Sequence, residues 1–370
     1  MRSSKTRAAA LVCALISIPT AFVVWFNRQE DISLVHRGHR IGRLNGAAGF
    51  LEADAQWLSE REAIYLAYQA DGDRFEFTKV RADTGEQSPV VNLNLNYARE
   101  LKAITSNVRA GAVWIKLHEP PRFAVSPSGD SLFIGPCERS IAQPGVVPVI
   151  YHATDPDGST HVKWQVSPTE LHYYPPLWQD ASTWLLCDPR SRTVVFNEAT
   201  VKYRCIEDHH NAPKPAWLWQ PVGLTAQNRL WGITRTNVAP AFGENTIDIA
   251  EWDLYGDSPP LKYRINLPAQ GYVYGVALST KRDRAAWMML YRYVNPVTRL
   301  TDRLHNGNRR QSYNMCGIWV SDLNGSNMKE VGNESLAHSI YNDGYLRWLP
   351  GDKKLALHIN RDLYTVPVDR

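Results

Sequence analysis

A strand-turn-strand unit returns along the chain from Ala55 to Arg370, and such self-similarity restricts the fold more than any single motif does. In each copy an apolar strand ends in a tight polar turn. A second, strongly apolar strand follows, and a further strand enters a hairpin with a Gly or Asp turn. The last copy is the clearest: Leu346-Arg347-Trp348-Leu349-Pro350-Gly351-Asp352-Lys353-Lys354 leads into Leu355-Ala356-Leu357-His358-Ile359, then Asp362-Leu363-Tyr364-Thr365-Val366-Pro367. Earlier copies open near Ala55, Phe123, Pro176, Val222 and Gly275. The spacing is roughly 45–70 residues, near or above a usual propeller-blade period. Helical periodicity is almost absent, and short apolar runs cut by Gly, Pro, Asn and Asp read as all-β.

Four short strands per copy, closed radially so that few sheet edges stay open, predict a six-bladed β-propeller with four-stranded antiparallel blades. Two unrelated β-sandwiches sharing generic turn signals are the competing fold. The last copy stops after three strands. A lone strand candidate, Asp31-Ile32-Ser33-Leu34-Val35-His36, stands just ahead of the repeats and is predicted to complete the last blade.

The phrases Val125-Ser126-Pro127-Ser128-Gly129, Trp348-Leu349-Pro350-Gly351-Asp352-Lys353-Lys354-Leu355 and Ile318-Trp319-Val320-Ser321-Asp322-Leu323-Asn324-Gly325-Ser326 resemble the repeats of TolB-like six-bladed propellers. In that family an aromatic-Ser-Pro-Asp-Gly turn precedes a Lys-Lys-Leu-Ala-like strand. The resemblance spans about residues 50–370 and is sharp in the second, fifth and sixth copies. The first, third and fifth copies depart from the turn, with Ser59-Glu60-Arg61, Gln179-Asp180-Ala181 and Ser279-Thr280-Lys281 in its place. The resemblance implies an extracytoplasmic binding module. Some relatives cap hydrolase domains, but no segment of that size remains here.

The N-terminus carries Arg2, Lys5 and Arg7, then an uncharged, mostly apolar run from Ala8 to Phe26. As a helix, that run just spans a hydrocarbon core of about 30 Å. Its basic flank predicts that Met1 stays cytoplasmic and the rest is exported. An uncleaved signal anchor is expected. A cleaved signal peptide is the alternative, although Pro19-Thr20-Ala21 is a poor cleavage site. The organisation is then a basic tail (1–7), a transmembrane anchor (8–26), a linker with a closing strand (27–50) and a propeller (51–370), periplasmic or at the cell surface.

Net charge is +4, from 41 basic and 37 acidic residues, and leaving out Arg2, Lys5 and Arg7 lowers it to +1. A near-neutral exported part argues against a nucleic-acid partner. Cys137, Cys187, Cys205 and Cys316 lack metal-type spacing, and Cys187 and Cys205 fall on non-neighbouring strands, so buried free thiols are expected. No Gly-x-Ser-x-Gly elbow, His-Glu-x-x-His pair or Gly-rich phosphate loop occurs. No metal, catalytic residue or cofactor is implied.

Strand alternation sorts the connections into two ends. Short turns occupy one end, and the insertions Asn96–Pro121, Cys137–Val147, Ile206–Pro215, Thr234–Glu244, Arg292–Met315 and Asn333–Gly344 occupy the other. Long loops on a rigid scaffold are where binding residues gather. The Arg292–Met315 segment holds Arg299, Arg303, His305, Arg309, Arg310 and Tyr313, a cationic and aromatic set suited to an acidic protein, a phosphate or an anionic glycan. His209 and His210 follow Glu207-Asp208, where four adjacent residues make a poor metal site but a plausible contact. Trp217 and Trp219 suit either a sugar platform or core. The expectation is a non-catalytic module that recognises a protein partner through the long-loop face. The alternative is a propeller enzyme acting on glycans with carboxylates near the axis. Asn324-Gly325-Ser326 and Asn333-Glu334-Ser335 match the glycosylation acceptor pattern, with chance turns as the simpler account.

Overall fold

A computed structural model describes residues 32–45, 55–69, 74–89, the strands between 122 and 207, and 219–234. It also describes 246–253, 261–269, 271–293, 314–336, 346–360 and 362–369. The anchor expected at 8–26 lies outside these residues. Among those described, no helix is long and apolar enough to cross a membrane.

Each repeat copy becomes one antiparallel meander. The first sheet holds β2 (Gln56–Trp57), β3 (Glu62–Gln69), β4 (Arg74–Arg81) and β5 (Gln87–Pro89). The second holds β6 (Arg122–Val125), β7 (Ser131–Gly135), β8 (Val149–His152) and β9 (His161–Gln165). The third holds β10 (Leu177–Trp178), β11 (Thr183–Cys187), β12 (Arg192–Asn197) and β13 (Lys202–Glu207). The fourth holds β14 (Trp219–Leu224), β15 (Arg229–Thr234), β16 (Thr246–Asp253) and β17 (Leu261–Asn266). The fifth holds β18 (Gly271–Leu278), β19 (Arg284–Tyr291), β20 (Met315–Asp322) and β21 (Lys329–Ser335). The last holds β22 (Leu346–Trp348), β23 (Lys354–Ile359) and β24 (Asp362–Pro367), with β1 (His39–Arg43) on its outer edge. Cys187 and Cys205 sit on β11 and β13, with β12 between them. Cys316 is a buried free thiol.

First strands of successive sheets lie adjacent where contacts are described: β6 beside β10, β14 beside β18, and β18 beside β22. This is a β-propeller arrangement. Tryptophans fill the seams. Trp231 and Trp287 meet edge to face at 5.8 Å between the fourth and fifth sheets, and both are fully buried. Burial of a side chain this size contributes on the order of 3 kcal/mol. Each indole N–H is satisfied, Trp231 by the Tyr263 hydroxyl at 2.6 Å and Trp287 by the Ser321 hydroxyl at 2.9 Å. Between the fifth and last sheets, Trp348 donates to the Ala277 carbonyl at 3.0 Å while Arg284 lies over its ring.

The last sheet also packs against the first. Leu349, Ala356 and Leu363 share one core cluster with Ala55, Ala63, Tyr65 and Val80. The chain ends are thus joined twice, by this seam and by β1 pairing antiparallel with β24. The closing strand is not the expected Asp31–His36 segment. Ser33 bridges to Asn333 of β21, and Leu34–Arg37 forms a short helix, α1. Leu34 is fully buried among Met288, Ile318, Val331, Leu357 and Val366, between the fifth and last sheets. That apolar anchor takes the segment out of the strand, and the polar His39–Arg43 segment forms the exposed edge instead.

Candidate functional site

Two ends of the propeller follow from strand direction. At one end lie the turns 58–61, 82–86, 225–228, 279–283, 323–328 and 349–353. At the other, every connection longer than eight residues joins the strands: 44–55, 90–121, 136–148, 166–176, 208–218, 235–245, 292–314 and 336–345. The boundaries of the expected insertions move slightly, because Ile206, Thr234, Met315 and Asn333 belong to strands.

Three described turns at the first end, 225–228, 279–283 and 349–353, are locked together. Asn228, Arg282 and Asp352 occupy equivalent turns with φ of 58°, 62° and 57°. Each turn reaches its neighbour. The Ala226 N–H donates to the Arg282 carbonyl at 3.1 Å, and Arg282 Nη1 donates to Asn228 Oδ1 at 3.3 Å. The buried Asp352 carboxylate accepts the Thr280 N–H (2.6 Å), the Thr280 hydroxyl (2.9 Å) and the Lys281 N–H (2.9 Å). Arg284 returns a bond to the Asp352 carbonyl at 2.8 Å. Little in these three turns is left to rearrange around a partner.

At the opposite end, the candidate residues Arg299, Arg303, His305, Arg309, Arg310, Tyr313, His209 and His210 lie outside the described residues. Trp217 does too, and Trp219 opens β14. What is described is the root of the basic loop. Asn314 clamps it shut: its Oδ1 accepts the Tyr293 N–H at 2.7 Å and its Nδ2 donates to the Tyr293 carbonyl at 3.1 Å. The Asn314 N–H donates to the Tyr291 carbonyl, and its own carbonyl accepts from Leu336 N–H. Beneath the clamp, Tyr291 packs edge to face on Trp319 at 5.4 Å. The Trp319 ring occupies the space a Cβ at Gly317 would need. Segment 294–313 therefore leaves and re-enters the sheet at two fixed, adjacent points.

Three titratable groups beneath this face, Tyr291, Cys316 and His358, are held in their neutral forms. Burial, reinforced by Glu330, pushes the Tyr291 phenol well above its usual range. Burial raises the Cys316 thiol in the same way, with Glu334 adding to it. Burial pushes His358 down to about 4, against a small opposing effect of Asp362. A neutral phenol, a protonated thiol and a neutral imidazole are scaffold chemistry rather than a poised acid–base pair. Among the described residues no group of three or more His, Cys, Asp and Glu gathers as for a metal ion.

Two tyrosines that sequence reasoning passed over also belong here. Tyr272 and Tyr274 sit on the half of β18 nearer this end, 6.5 Å apart edge to face, and Tyr274 is exposed. The Val273/Gly275 register shift against β19 follows directly. The usable signal was Gly271-Tyr272-Val273-Tyr274, an aromatic alternation at the start of a first strand.

No protein-family model matches the chain, and no curated protein matches it. Solved structures are similar. TolB from Acinetobacter baumannii aligns over 84% of this chain and 64% of its own, at 10% identity and a TM-score of 0.44. The chain therefore spans less than two thirds of that protein. An oligogalacturonate lyase in complex with manganese aligns over 92% of both chains at 9% identity and a TM-score of 0.43. The β-propeller domain of the Trilobed protease from Pyrococcus furiosus, described as having an open velcro topology, covers 84% of this chain and 79% of its own, at 12% identity and a TM-score of 0.40.

Proposed function

We propose that the chain is a TolB-like, six-bladed propeller, held at a membrane by residues 8–26 with the propeller outside the cytoplasm. It recognises a protein partner through the long-connection face, and no bond is made or broken. The observation that carries this reading is the segregation of connections: every one longer than eight residues falls at one end, while at the other the described turns 225–228, 279–283 and 349–353 are cross-locked. Loop drift without function has no reason to respect one end, because surface insertions cost little anywhere. The Asn314 clamp supports the basic loop as the main contact, since a loop with fixed roots loses less entropy on binding. Arg299, Arg303, Arg309 and Arg310 suit an acidic surface on the partner, and His305, Tyr313, His209 and His210 are further candidate contacts.

The test uses the full chain in detergent-solubilised membranes of its native source. Tagged wild type and a variant with residues 296–311 replaced by a short Gly-Ser turn are compared by capture and mass spectrometry. A partner held by the wild type and lost from the variant is expected. A partner retained equally by both overturns the face assignment. Depolymerisation of an anionic glycan by the wild type would favour the enzyme alternative.

A further inference from the structure

We propose that Asn324 is an acceptor for N-linked glycosylation; this rests on the extracytoplasmic reading above. Two triplets in the chain match the acceptor pattern Asn-x-Ser. The fold treats them oppositely. Asn333 lies in β21, only 9% exposed, with its Nδ2 donating to Glu330 Oε1 at 2.9 Å. A glycan there has no room once the fifth sheet forms. Asn324 stands exposed in the β20–β21 turn.

The turn is built to display it. The Gly325 N–H donates to the Asp322 carbonyl at 2.9 Å, and the Asp322 N–H to the Ser326 carbonyl at 3.0 Å. Gly325, at φ 82°, lies against Ile265 of the neighbouring sheet, and the Leu323 carbonyl is 3.1 Å from the Tyr263 hydroxyl. One side of the turn is therefore packed down, and Asn324 is on the other. The Asn324 Oδ1 accepts the Ser326 N–H at 2.9 Å and sits 2.7 Å from the Ser326 hydroxyl. These two residues are the ones the acceptor pattern requires, and they already touch. The amide oxygen is engaged, while Nδ2 makes no hydrogen bond among the described residues. The nitrogen is the atom that must react.

The co-reactant is an oligosaccharide joined to a lipid through a pyrophosphate. The Asn324 Nδ2 forms a bond to the anomeric carbon. The bond from that carbon to the pyrophosphate oxygen breaks, and the lipid pyrophosphate leaves with the electron pair. One amide proton passes to a base of the transferase. The modified turn lies at the short-turn end, so the glycan leaves the proposed partner face clear.

The experiment isolates the full chain from its native membranes and maps the tryptic peptides 311–329 and 330–347 by mass spectrometry. A glycan mass on Asn324 is expected, absent in Ser326→Ala and in Asn324→Gln and kept in Ser326→Thr. Protease digestion of intact spheroplasts is run alongside as a readout of topology that does not depend on the glycan. A propeller digested from outside with an unmodified Asn324 overturns the proposal while leaving the exported reading intact. A propeller protected inside the cell overturns both. A glycan on Asn333 instead would refute the accessibility argument.

Discussion

At the scale of single residues, two buried groups make the fold sensitive in measurable ways. Asp352 satisfies three donors of the adjacent turn from a left-handed backbone position. Asp352→Ala leaves the Thr280 and Lys281 N–H groups without their acceptor, at a cost of about 2–3 kcal/mol in urea unfolding. Asp352→Asn keeps one oxygen and is expected to lose less. His358 gives a pH dependence whose sign follows from its lowered value of about 4. Between pH 6.5 and 4 the unfolded imidazole binds a proton that the folded one does not, so stability present above pH 6.5 drains away as pH falls. The size is roughly 3 kcal/mol across that window. His358→Gln should flatten the slope of unfolding free energy between pH 6.5 and 4.5. An unchanged slope would mean that other groups govern acid sensitivity.

Among the elements, β1 and the segment before it were the hardest to read. His36-Arg37-Gly38-His39-Arg40-Ile41-Gly42-Arg43 looks like a basic linker, because an outer edge strand needs no buried apolar alternation and charge protects it from stray pairing. The Asp31–His36 stretch reads as the strand, and Leu34 is indeed buried, but as part of α1. The inner strands were legible since Trp, Ile, Leu and Val there alternate or run together between Gly-Asp turns. What holds α1 down is Glu334, whose Oε2 accepts the Ser33 hydroxyl at 2.5 Å and the Val35 N–H at 3.2 Å. Glu334→Ala is expected to cost about 2 kcal/mol and to raise hydrogen exchange over 33–43 while the fourth sheet stays protected. The loop root offers a second check. Gly317→Ala drives a methyl into the Trp319 ring, and a loss of about 1–3 kcal/mol is expected.

For the whole molecule, closure shows in the core that the first and last sheets share. Leu363→Ala, at a site with no exposure, should cost about 3 kcal/mol and lower exchange protection in both β3 and β23. An open array would lose protection in the last sheet alone. The two-ended character of the ring was readable from connection lengths without any structure. The Asn314–Tyr293 clamp was not, because an asparagine in a polar stretch carries no signal of its partner. The central claim is that the long-connection end meets a partner. A photo-crosslinking residue placed at Pro268, on that end, is compared in native cells with one at Gln227 or Glu86, exposed on the other. A discrete protein adduct is expected from Pro268 and none from Gln227 or Glu86. Adducts from Gln227 or Glu86 without one from Pro268 would contradict it.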